Sequence, residues 1–175
     1  MLASQTIALG ILFIPMALLI TYWDVRYRRI PNELVLLTFI GGVALNTIFE
    51  GSHGFLISLG GFAFAFGLMF FLHAFGTMGA GDVKLFAAIG AVVGVSSVLP
   101  TLMVVALTGG VLAVGKMIHS RRTLTTMLGV TQVFYGLLPG QKVPRFEVPA
   151  DHTYTLPYAV PICFGSVIAF FIFRA

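Results

Sequence analysis

The sequence predicts an all-α integral membrane protein, a polytopic bundle of about six transmembrane helices. Three observations carry that prediction. Of 175 residues, 58% are hydrophobic and only 9% are charged, against about 25% charged in ordinary soluble domains. The apolar residues come in long blocks, which a water-soluble core does not need. The basic residues collect between those blocks, where they report orientation in a membrane.

Six blocks approach the roughly 20 residues of a spanning helix: 6–23, 34–49, 54–75, 83–100, 101–118 and 156–173. The first ends at Trp23-Asp24 and lacks a basic start and a small-residue cleavage site. It reads as a retained span, not a signal peptide. The second is short and needs helix tilt or local bilayer thinning. The fourth and fifth nearly merge. One helix over 85–118 would run about 50 Å at 1.5 Å per residue, against a hydrocarbon core of about 30 Å. A break is expected from Ser96-Ser97 to Pro100-Thr101, because Pro100 disfavours continued helix. The long loop 119–153 joins the last two spans. Within it, Leu124, Met127, Leu128, Phe134 and Leu138 fall at helical spacings and predict an interfacial amphipathic helix. The three prolines of 139–154 predict irregular structure. The whole chain, 1–175, reads as a single transmembrane domain.

Orientation follows from Lys and Arg. Arg26, Arg28, Arg29, Lys84, Lys116, Arg121, Arg122, Lys142 and Arg145 fall on one side of six spans, and Arg174 alone on the other. The positive-inside rule makes the first side cytoplasmic, with both termini outside. Without a break near Ser97, Lys84 and the Lys116 cluster would face opposite sides.

Composition excludes several classes. No basic-aromatic patch or nucleic-acid motif appears, so nucleic acid is not a partner; the lipid bilayer is. The single cysteine, Cys163, rules out a disulfide framework and a multi-cysteine zinc site. His53, His73, His119 and His152 lack metal-ligand spacing. No metal and no cofactor are expected.

Acids are scarce: there are six. Glu50, Glu147 and Asp151 fall in loops and read as solvated. Glu33 opens the second span, where a carboxylate suits a helix N-terminus. Asp24 ends the first span and Asp82 begins the fourth, and an acid at membrane depth is a functional candidate. The topology, built from Lys and Arg alone, puts both at the same face. Two such carboxylates can share proton chemistry: an ionised one activates water, and a protonated one donates to the substrate carbonyl and leaving amine. The plainer alternative is that each caps a helix or pairs with an arginine.

Asp82 follows Gly76-Thr77-Met78-Gly79-Ala80-Gly81. Gly79 and Gly81 permit backbone conformations and a close substrate approach that side chains would block. No strand precedes the run and no Walker lysine pattern follows it, so it is not a phosphate loop. Lys84, about 200° round a helix from Asp82, reads as a snorkelling side chain or a contact for a substrate carboxylate. Pro31 and Asn32 end a loop and start the second helix; Asn32 could also support Asp24 by hydrogen bonding. Phe62 to Phe71 read as lipid-facing or interhelical packing, and Gly60-Gly61 and Gly109-Gly110 as close helix contacts.

Gly79-Ala80-Gly81-Asp82-Val83-Lys84 resembles the G-x-G-D-x-K motif of the type IV prepilin peptidases. Asp24, followed by Arg26, Arg28, Arg29 and Ile30-Pro31-Asn32, is similar to that family's first-aspartate motif. Leu156-Pro157-Tyr158 is similar to the Pro-Tyr segment opening its final span. The resemblance implies an intramembrane-type aspartyl endopeptidase of the bacterial cytoplasmic membrane, with Asp24 and Asp82 as catalytic pair. It implies substrates that are type IV pilin-like precursors with a short basic leader, cut after a glycine. The cytoplasmic domain and paired cysteines of the larger, methylating members are missing. The chain resembles the short form of Flp-type, tight-adherence pilus systems, for which no methyl transfer is expected. A preflagellin-type peptidase and a small transporter using the two acids as a proton or cation relay are the rival readings.

Overall fold

The computed structural model describes residues 2–74, 78–119 and 158–174. Among these the chain is helical. Helix α1 spans Leu2–Tyr27, α2 Asn32–Ala74, α3 Ala80–Val93, α4 Val98–His119 and α5 Ala159–Arg174, with a 3₁₀ turn at Val95–Ser97 before α4. Three segments are long and apolar enough to cross a membrane: Ser4–Tyr27, Asn32–Ala74 and Val95–Gly115. The expected amphipathic helix and the irregular loop of 119–153 lie outside the described residues, apart from His119, which ends α4.

Residues 1–109 with 157–175 form one compact unit, and residues 110–156 another. Of the second unit, the described residues 110–119 continue α4.

The second and third apolar blocks lie on the two limbs of α2. Gly51 adopts φ 62, ψ −140 in its interior, a region essentially closed to residues with a Cβ. The chain folds back there. Phe39 and Phe62 would stand about 35 Å apart on a straight helix, yet their ring centroids are 4.6 Å apart. The expected loop from Glu50 to His53 is thus a single-residue reversal inside a continuous helical run.

The break between the fourth and fifth spans falls earlier than expected. Gly94, at φ 81, closes α3 by donating its N–H to the Gly90 carbonyl at 2.9 Å. Pro100 lies in the first turn of α4 instead of breaking a helix. The physical reason is that the first-turn N–H has no intrahelical partner, so proline costs little there. Glycine in a left-handed conformation supplies the stop.

Helix α3 is central. From Asp82 to Val93 every residue except Lys84 is buried, as expected for a helix apolar all round. It packs against the second limb of α2 backbone to backbone: a Cβ on Gly90 would stand 2.5 Å from the Gly61 carbonyl oxygen, and one on Gly61 would collide with that of Gly90. Of the predicted close-contact glycines, Gly61 makes such an approach. Gly109 has ordinary room against Pro161, and Gly110 faces open space.

Candidate active site

Asp24 continues the buried stripe of α1. Leu9, Phe13, Ala17 and Ile20 are all nearly inaccessible, and Asp24 follows four residues after Ile20, on the same helical face. The chain therefore turns this carboxylate inward, while Tyr22, Trp23 and Tyr27 around it stay exposed. Aromatic residues at that level suit a membrane–water interface. Arg28, with φ 55, closes the helix in the left-handed region, and its N–H bonds the Asp24 carbonyl at 2.9 Å. Four residues later α2 begins at Asn32, as the Pro31-Asn32 reading expects.

Asp82 sits in the first turn of α3. Gly79 precedes the helix, and its N–H donates to Asp82 Oδ2 at 3.3 Å. Asp82 thus caps its own helix. A Cβ on Gly79 would stand 3.2 Å from the same oxygen. A Cβ on Gly81 would meet the Ile30 side chain at 3.5 Å, an ordinary contact. Neither glycine has a positive φ, so the expected conformational role is not what they supply. Gly79 supplies clearance and a donor for Asp82, and Gly81 supplies a close seat for Ile30.

The two acids come together across 58 positions of sequence. Asp24 Oδ2 accepts the backbone N–H of Ala159, at the start of α5, at 3.1 Å. Asp24 lies close enough for its charge to act on Asp82. Both side chains are 8% exposed, buried yet reachable. Among the described residues, the hydrogen bonds to both engage Oδ2 and none engages Oδ1. The Arg28 guanidinium also lies within electrostatic reach of Asp24.

One further group lies within reach of the pair, and the sequence reading gave it no role there. The Cys163 thiol is buried, hydrogen-bonded with Thr21 and within electrostatic reach of both aspartates. The helical spacing carries the signal: Thr21 is three residues before Asp24, and Cys163 four after Ala159. His73 Nδ1 lies 2.6 Å from the Met78 carbonyl oxygen and ties the end of α2 to the approach to α3.

Lys84 and Asn32 meet away from the dyad, with Nζ donating to Asn32 Oδ1 at 3.5 Å. The hydrogen bond expected between Asn32 and Asp24 gives way to this one, because Lys84 projects from the opposite face of α3. Glu50, expected to be solvated, accepts a hydrogen bond from Gln5 Nε2 at 2.7 Å. It belongs to a polar cluster at the far end of the bundle. Among the described residues no group of three His, Cys, Asp or Glu could hold a metal ion.

The arrangement offers two carboxyl groups at one end of a helical bundle, each with one oxygen that accepts no hydrogen bond from the described residues. Residues 11–114 match the model of the type IV leader peptidase family. No curated protein and no solved structure matches the chain.

Proposed function

We propose that this chain, which belongs to the type IV leader peptidase family, is an aspartyl endopeptidase that removes the short leader from type IV pilin-like precursors at the cytoplasmic face of the membrane. The observation that carries the reading is the convergence of Asp24 and Asp82, each held, among the described residues, by one backbone amide on one oxygen. One carboxylate takes a proton from water as the water oxygen bonds to the scissile carbonyl carbon. The other, protonated, donates to the carbonyl oxygen. As the C–N bond breaks, the leaving amine takes a proton from the pair. Burial and like charge both keep one proton on the pair at working pH. Gly79 and Gly81 shape the approach. Incubating the purified protein with a Flp-type prepilin should release a leader ending in glycine, read by mass spectrometry. An intact precursor after prolonged incubation with active, folded protein would overturn the assignment of substrate.

The same reading puts six crossings in the membrane: α1, the two limbs of α2, α3 with its 3₁₀ turn, α4 and α5. The Lys/Arg distribution supports a cytoplasmic dyad end. With Cys163 replaced, a cysteine at Arg28 should resist an impermeant thiol reagent in intact cells, and one at Ser52 should react. The reverse pattern would invert the topology.

A further inference from the structure

A groove of about 390 Å³ opens on the side of the bundle. The two limbs of α2 and the exposed face of α3 form its walls. Val35, Phe39, Phe62 and Phe66 line its apolar depth, and Asn32 and Lys84 stand at one end. Phe62, Phe66 and Phe70 form a ladder along the second limb, with centroids 6.1 and 5.7 Å apart and rings nearly parallel. From Asn32 to Phe39 the groove descends about 10 Å along the helix axis. Among the described residues its one charged lining residue is a lysine, and no acid lines it.

We propose that this groove holds an anionic phospholipid of the surrounding leaflet, with the headgroup on Lys84 and Asn32 and one acyl chain along the phenylalanine ladder. The polar end of the groove is at the dyad end of the bundle, where Trp23 and Tyr27 mark the interface. An ammonium there, on an apolar stem, matches a phosphate at headgroup depth. Asn32 Oδ1 already accepts from Lys84, so the asparagine amide N–H₂ is the group that reaches the phosphate beside it. The opposite facing of Asp82 and Lys84 favours lipid over substrate. Asp82 turns toward α1 and α5, whereas Lys84 turns toward α2. A peptide seated in the groove would lie across α3 from the dyad, while a lipid needs no access to it. Occupancy would pin the head of α3 at the membrane surface and so set the depth of Asp82.

The inference rests on the membrane-embedded reading and not on proteolysis, so it is tested without substrate. With Trp23→Phe as background, Phe66→Trp places one reporter in the groove. Brominated phosphatidylglycerol should quench it about fivefold more effectively than brominated phosphatidylcholine, the size expected for one lysine at an anionic surface. Lys84→Gln should remove the preference and Lys84→Arg keep it. Phe164→Trp, on an exposed face of α5, should show no dependence on residue 84. Native mass spectrometry of the protein with its own Phe66 gives a second reading: bound phosphatidylglycerol should survive delipidation, and be lost in Lys84→Gln. Equal quenching by both lipids, or a preference that survives Lys84→Gln, would overturn the site. Displacement by soluble glycerophosphate would also overturn it, by showing that the acyl groove contributes nothing.

Discussion

The bundle has a polar cluster at each end, and the two are built on opposite terms. At the end away from the dyad, Asn46 is almost completely inaccessible and its amide is saturated. It accepts from Gln5 Nε2 at 3.1 Å and donates to Ser58 Oγ at 2.7 Å, with the Ala91 and Val92 carbonyls at 3.1 and 3.4 Å. Ser58 Oγ donates to Ala91 at 2.8 Å. These side chains hydrogen-bond to the Ala91 and Val92 carbonyls in the last turn of α3. They tie α1, both limbs of α2 and α3 at one point. At the dyad end, two ionisable groups of similar burial each accept one backbone hydrogen bond, and among the described residues one oxygen of each has no donor. A saturated cluster fixes helices and has no capacity left for a ligand. An undersaturated one is costly to fold around, and keeps acceptors and a proton for a substrate.

The largest test of that contrast is removal of each carboxylate. Asp24→Asn and Asp82→Asn should each reduce cleavage by at least about 100-fold, and the double variant should be little worse, because the pair acts as a unit. Stability should move the other way: removing one of two crowded, buried carboxylates relieves like-charge repulsion, so neither variant should lower Tm at pH 7. Near-parental cleavage in either variant would reduce that aspartate to a helix cap.

Asn46→Ala should give the opposite profile. It removes the hydrogen bonds that join Gln5, Ser58 and the end of α3 through one amide, while Gln5 keeps Glu50 and Ser58 keeps the Ala91 carbonyl, at roughly 1–3 kcal/mol in all. Thermal stability should drop clearly while cleavage per folded molecule is kept. A loss of turnover without a loss of Tm would show that the far end also takes part in the chemistry.

The smallest effects concern the glycines beside Asp82. Gly79→Ala presses a methyl against Asp82 Oδ2, so cleavage should fall about tenfold, equivalent to about 1.4 kcal/mol. Gly81→Ala makes only an ordinary contact with Ile30 and should stay near parental, whereas the bulkier Gly81→Val should push Ile30 and lower activity. Equal rates for the two alanine variants would remove the distinction between clearance and seating.

By itself, the sequence determined the all-helical, apolar class of the chain and singled out two acids that the fold brings near each other. Each is written in local terms: block length, charge between blocks, and scarcity of carboxylates. Periodicity even carries Asp24 onto the buried face of α1. Tertiary structure alone decided the rest, because it depends on which backbone meets which side chain. Gly94, not Pro100, ends the central helix, since a first-turn proline costs little while a left-handed glycine stops a helix outright. Glu50 joins a buried network because the reversal at Gly51 brings it beside Gln5. Asn32 pairs with Lys84 rather than Asp24, because residues two apart on α3 face opposite ways. The amide that holds Asp24 comes from Ala159, 135 residues away. No local pattern marks that donor, since every helix N-terminus has free N–H groups and only packing selects which carboxylate receives them.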